Sequence, residues 1–267
     1  MNEQNTSEWQ APPPPEKIVD TSEPAQMSEA ATITGIFFEP GRTFEDLRRK
    51  PRFIWATLII VVLATSFSFL LANKIGEKGF RQFALEQLEK SSQASSLSQE
   101  QKERSVDLQM TIMKVSRFLV PVFIIIGLGI GGLIYWLGGN AMGGAGTFWH
   151  GLSAWVYSSL PPSVIMMLGN IIVLLFKPAE EIEVATSQRG LLHANPSFFI
   201  DGKESPVLAT LLGTLDLFAI WGWVLAAIGL QKLFKISSGS AWGIVLIMAL
   251  ISLTVRVIFA LLNGTPM

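Results

Sequence analysis

The chain has 267 residues, of which 49% are hydrophobic and only 15% charged, with a net charge of −1, no cysteine and a mean hydropathy of +0.43. That charge content is far below the roughly 25% of soluble domains, and the absent basic field argues against a nucleic-acid partner. Without cysteine there are no disulfides, thiolate catalysis or cysteine metal sites.

Charge is concentrated in residues 1–52, 74–117 and 177–204, and the blocks between them are apolar, as in a polytopic membrane protein embedded in a lipid bilayer. Residues 1–30, opening MNEQNTSEWQAPPPPEK, are polar and rich in Pro, Glu and Ser; they read as a disordered tail rather than a secretory signal peptide. Residues 31–52 follow as an interfacial amphipathic segment. Phe37, Phe38, Phe44 and Leu47 alternate there with Arg42, Arg48, Arg49, Lys50 and Arg52. Pro40-Gly41 predicts a turn, and Thr43 with Asp46 predicts a capping pair opening a short helix that stops before Pro51.

Five runs are long enough to cross a roughly 30 Å hydrocarbon core: 53–72, 118–137, 151–176, 207–230 and 240–262. They make 53–262 a five-span, all-helical membrane domain. In the first long loop, Phe80, Phe83, Ala84 and Leu88 recur at helical spacing and predict an amphipathic helix over 77–90. SSQASSLS breaks it, and Ser98 with Gln101 reads as a capping box starting a helix that runs into the second span. Gly127 and Gly131 have the spacing that lets helices approach, within one chain or between copies. Residues 138–146, GGNAMGGAG, read as a flexible connection. Cation counts do not orient the chain, since both faces carry many. Trp55, Trp136, Trp155, Tyr157 and Trp242 fall near one membrane face, where amphipathic rings favour the headgroup level.

No HExxH, GxSxG, P-loop or strand-linked GxGxxG occurs, so neither a reaction nor a cofactor is implied. The two histidines, His150 and His193, fall in loops on opposite faces; they cannot share a metal and are expected to be solvated. Pro161 and Pro162 interrupt the third span and remove the intrahelical partners of the Tyr157 and Ser158 carbonyls. This predicts either a kink that serves packing or a broken-helix ion site.

In 215-LDLFAIWGW-223 an aspartate, Asp216, sits within an apolar run. As part of a continuous helix it lies about 13.5 Å from the membrane face, with Arg256 and Asn170 each about 9 Å from that face. Intramembrane charges usually pair, so Asp216 is expected to meet Arg256, with Asn170 nearby. The three would form a structural lock or, alternatively, line the pathway of a small transporter or channel.

The segments 36-IFFEPGRTFEDLRRKPRF-53, Tyr157-Ser158 followed by Pro161, and 215-LDLFAIWGWVLAAIGL-230 together resemble the entry segment, third span and fourth span of the Yip family (Ypt/Rab-GTPase-interacting proteins), in its bacterial form. The resemblance covers about 33–262. It implies a five-span helical fold with a cytosolic N-terminus, a non-enzymatic role in membrane organisation or trafficking-like processes, and homo-oligomeric or other membrane-protein partners. Small GTPases are partners of eukaryotic relatives whose first span carries Asp-Leu-Tyr-Gly-Pro. That motif is absent here, where the region reads 53-FIWATLIIVVL-63, so the resemblance does not carry a GTPase partner to this chain.

Overall fold

The structure is a computed structural model that describes residues 24–90, 96–187, 190–192, 194–202, 204–264 and 266. Most of the polar tail, 1–23, therefore lies outside the described residues, as do His193 and part of the break at 91–98. Residues 24–30, read as tail, belong to the fold. The Ser28 hydroxyl accepts from the Ala31 amide and caps α1 (Glu29–Phe38).

After α1, helix α2 (Pro40–Arg49) begins at the proline, one turn before the expected capping pair. Proline is suited to that first position because its missing N–H has no helical partner there in any case. Thr43 and Asp46 are consequently inside the helix and turned inward. The end of α2 at Arg49, before Pro51, is where the sequence places it.

Five helices among the described residues are long and apolar enough to cross a membrane. The first two, α3 (Ile54–Lys90) and α4 (Gln99–Ala141), carry amphipathic extensions beyond their apolar stretches. In the α3 extension Phe80 and Ala84 are buried against Val106 and Met110 of α4, with Leu88 alongside. The Ser98–Gln101 capping box is present in both directions, at 3.3 and 2.8 Å. Arg81 pairs with Asp107 and Lys114 with Glu77 across this hairpin.

Helix α5 (Phe148–Phe176) is central. It packs against α3, α4 and α8 (Leu217–Phe234), while α9 (Ser238–Asn263) packs against α8 and the short α7 (Pro206–Gly213). A one-turn helix, α6 (Val184–Ser187), lies in the loop after α5 and touches α3. The large apolar side chains left on the surface, such as Leu58, Val62, Val122, Ile125, Ile172, Leu250 and Ile251, are spread along the spans. Lipid, not water, suits such a surface.

Connection 138–146 is an ordered cradle rather than a flexible link. A Cβ at Gly139, Gly144 or Gly146 would come within 2.5–2.8 Å of Phe234, so only glycine lets this backbone close round that ring. The Ala145 amide also donates to the Phe234 carbonyl, and the Asn140 side chain ties Trp136 to Gly146. Of the two glycines with helix-approach spacing, Gly131 lies under Trp155 within the chain, whereas Gly127 faces open space. Trp155 and Tyr157 likewise serve internal packing, Trp155 stacking edge-on with Tyr135 at 4.8 Å.

Helix α3 is broken at Gly76, whose φ of 69° and ψ of 174° lie in a region that is essentially glycine-only. A Cβ there would meet nothing within 4 Å, so any penalty for a side chain is purely backbone strain. Gly76→Ala should therefore destabilise the protein in detergent unfolding by about 1–3 kcal/mol. Gly127→Ala, helical and equally open, should be neutral or stabilising by up to about 1 kcal/mol.

Candidate functional site

The segments that carry the family-like motifs converge at one membrane face, around α2 and the facing ends of α5 and α8. At its centre are two charges that the sequence reading had placed elsewhere. Asp46, 1% exposed, projects from α2. Arg52, 8% exposed, follows Pro51, which ends the helix and turns the chain toward α3. One guanidinium nitrogen pairs with Asp46 Oδ2, and another donates to the Met27 carbonyl at 2.7 Å. Asp46 Oδ1 accepts from the amides of Gln26 and Met27 at 2.5 and 3.2 Å. Three short segments, 26–27, α2 and 52–53, are thus tied by one charge pair.

This unit is fastened to α5. The Ser153 hydroxyl donates to the Arg52 carbonyl at 3.2 Å. His150, expected to be solvated in a loop, is 2% exposed in the first turn of α5. Its Nδ1 accepts from the Thr147 amide at 3.0 Å, which leaves Nε2 to carry the proton and donate to the Arg48 carbonyl, also at 3.0 Å. The helix therefore presents a neutral histidine as a clamp on the last turn of α2. On the α8 side Phe44 fits against Gly229, where a Cβ would lie 2.9 Å from the ring. Lys232 meets Glu45 at 2.5 Å, and that hydrogen bond holds the exposed Glu45 carboxyl below its ordinary range.

Tyr157, Ser158, Pro161 and Pro162 form the floor of this junction, and all four are buried. Tyr157 lies within electrostatic reach of Arg52 and Glu29. The Ser158 hydroxyl turns back to the Trp155 carbonyl at 3.0 Å. Gly222 of α8 passes over the Ser158 carbonyl and the Pro162 ring, where an added Cβ would be 3.6–3.7 Å away. Helix α5 continues through both prolines as one element, so it is not a broken helix.

The break is in the fourth span, between α7 and α8, and it changes the role of Asp216. A depth counted along one continuous helix from Val207 does not apply. Asp216 is the N-cap of α8: Oδ1 accepts from the amides of Phe218 and Ala219 at 2.9 and 3.3 Å, and Oδ2 accepts from Asn195 Nδ2 at 3.0 Å. Arg256 is exposed on α9 and is not among its partners. Asn170 is fully buried, and its Oδ1 accepts from the amides of Leu191 and Leu192 at 2.5 and 2.8 Å. The structure thus brings Asn170 and Asp216 to one loop, 191–195, without joining them directly or bringing in Arg256. A fourth bond, from the Leu217 amide to the Ala194 carbonyl at 3.1 Å, adds to the attachment of that loop.

Sequence reasoning missed Asp46, Arg52, His150 and Ser153. For Arg52 the one available signal was its position between Pro51 and an apolar span, where a cation has no helix face to leave by. Comparison with known proteins then gives the following. A family model described as the Yip1 domain matches residues 34–260, from α1 to the end of α9. The chain is 31% identical over 241 residues to the Bacillus subtilis (strain 168) protein described as membrane protein YknW, covering 89% of this chain and 91% of that relative. No solved structure matches the chain significantly.

Removing one member of a buried pair strands the other. Arg52→Gln or Asp46→Asn alone should cost about 3–5 kcal/mol in detergent unfolding, and the double variant should lose less than the sum. At the α8 cap, asparagine keeps one oxygen for the Phe218 and Ala219 amides but turns a donor toward Asn195 Nδ2, so Asp216→Asn should cost about 1 kcal/mol and Asp216→Ala about 2 kcal/mol. Combining Asp216→Asn with Arg256→Gln should give additive effects in the same assay, because the two side chains have no shared contact.

Proposed function

The chain belongs to the Yip1 family, and on that premise we propose that it is a non-enzymatic, multi-pass protein of the cell membrane that organises its surroundings through association with other membrane proteins or with further copies of itself. The observation that supports this reading most is the preorganised platform formed by α1 and α2. Buried charges and the His150 clamp hold it against α5 and α8. It presents Phe38, 84% exposed, together with Arg42 and Lys50. Phe37 beside it is anchored on Trp221, with ring centroids 6.4 Å apart. A surface ordered in advance binds without the cost of ordering it on contact, which favours recognition of a partner.

In this reading the N-terminus is cytoplasmic and the platform faces the cytoplasm. A role in trafficking-like processes is the counterpart that the family's eukaryotic members suggest, without a GTPase partner. Transport through the intramembrane polar groups is not part of the proposal, since Asp216 and Asn170 are occupied in holding backbone and Arg256 stands apart.

The chain has no cysteine of its own, so single cysteines report cleanly. Phe38→Cys, treated in native membranes with a bifunctional thiol reagent together with an amine-reactive arm, should give discrete products of higher mass. Ile251→Cys, exposed on α9, should not give the same bands. Liposomes reconstituted with the whole protein should show ion flux no greater than protein-free vesicles. Absence of discrete Phe38→Cys products together with flux above that baseline would overturn the reading.

A further inference from the structure

At the opposite end of α3 from the entry helices, a cleft of about 340 Å³ opens between α3 and α4. Its position is set by the Gly76 break, which lets α3 turn after its apolar stretch and bring Phe80 over against α4. The cleft lies between Ala72, where the first apolar run ends, and Phe118, where the second begins; both helices therefore cross from hydrocarbon to headgroup level there. Its lower wall is apolar: Phe69 and Ala72, with Phe69 edge-on to Phe118 at 5.4 Å. The rest of the lining mixes polar Asn73, Glu77, Lys114 and Arg117 with apolar Phe80, Met110 and Met113.

The two cations are not equally engaged. Lys114 Nζ is held by Glu77 at 3.1 Å, on the same rim. The Arg117 guanidinium lies 5.3 Å from the centre of the Phe80 ring, and none of the described residues gives it a hydrogen-bond acceptor. A cation–π contact with the ring face takes up none of the guanidinium N–H groups, which remain available for the two-bond hold that arginine makes on a phosphate. One rim carboxylate against two cations leaves the cleft with net positive charge. Exposed apolar side chains, Phe118 and Val122 on α4 and Leu70 on α3, continue from its mouth along the spans.

We propose that this cleft binds the phosphate headgroup of an anionic phospholipid in the leaflet opposite the entry helices. Arg117 is the principal phosphate ligand, Lys114 and Asn73 are supporting donors, and the acyl chains run down the apolar faces of α3 and α4. The level of the cleft selects a lipid over a free anion: a soluble phosphate gains nothing from the Phe69 and Ala72 wall or from Phe118 beyond the mouth, whereas a phospholipid places headgroup and chains along both surfaces at once.

The test uses the full chain purified in neutral detergent, with thermal unfolding followed during addition of dioleoyl phosphatidylglycerol, dioleoyl phosphatidylcholine or inorganic phosphate. Ligand that binds only the folded state raises Tm. Phosphatidylglycerol should raise it, while phosphatidylcholine and inorganic phosphate should leave it unchanged. Arg117→Gln and Lys114→Gln should each weaken the apparent phosphatidylglycerol affinity about tenfold, the loss of one charge-assisted hydrogen bond to the phosphate. Lys78→Gln, in the same extension but outside the cleft, should leave it unchanged. Native mass spectrometry of the unsubstituted protein in an equimolar mixture of the two lipids provides a readout that no variant's folding can disturb, and it should retain phosphatidylglycerol preferentially. An equal response to phosphatidylcholine, a response to inorganic phosphate that matches the lipid's, or full phosphatidylglycerol affinity in both cleft variants would overturn the proposal.

Discussion

One constraint bears on a membrane domain wherever its chain leaves the helix: backbone N–H and C=O groups removed from water must find partners within the protein. At three of these departures a side chain supplies the partner. Where the fourth span breaks, Asp216 accepts two α8 amides that would otherwise be orphaned. Where the loop after α5 runs back beside the spans, Asn170 accepts two consecutive amides and the Leu217 amide takes a carbonyl. Where α4 turns into α5, Asn140 bridges the backbone of Trp136 and Gly146. An aspartate or asparagine inside an apolar run is here a substitute for missing helix, and this accounts for Asp216 without any ion pair.

The same economy explains the junction of the entry helices with α5 and α8. Burying Asp46 and Arg52 costs several kcal/mol per ion in desolvation, and their mutual attraction alone often fails to offset it. Here the carboxylate also accepts two backbone amides and the guanidinium donates to a carbonyl, so the pair satisfies backbone groups of 26–27 that have no helix to serve them. A hydrophobic substitute could fill the space but could not dictate which loop lies over α2. The pair therefore works chiefly as a specifier of one arrangement, and it makes the entry segment a fixed part of the fold where its sequence alone suggested a helix lying in the membrane interface.

Much of the architecture could be read from sequence because lipid imposes a length on each span. Four of the five apolar runs each lie in one long helix and the fourth is divided between α7 and α8, while the Ser98–Gln101 box and the 77–90 periodicity located the hairpin extension. The three motif-bearing segments were also correctly singled out, although nothing in them announced that they meet. Hydropathy did not show the break at 214–216, because Thr214 and Leu215 leave the run apolar. The pattern of an aspartate directly before LFAIWGW is nonetheless an N-cap signature, and the assumption of a continuous helix obscured it. Asp46 and Arg52 were hidden differently. They stand among four other cations and several acids, and composition assigns such a cluster to a surface. Only tertiary packing separates the one buried arginine from its exposed neighbours.

The break also divides the fourth span between two neighbourhoods. Helix α8 belongs to the motif-bearing junction: Gly222 and Gly229 admit α5 and Phe44, and Lys232 reaches Glu45. Helix α7 instead packs against α9 and the turn at Pro196–Phe199, within the loop held by Asn170 and Asp216. A continuous helix would transmit any tilt of one half rigidly to the other. The capped break at Asp216 lets α7 leave the axis of α8, while α9 packs against both and the loop stays tied to α5 through Asn170.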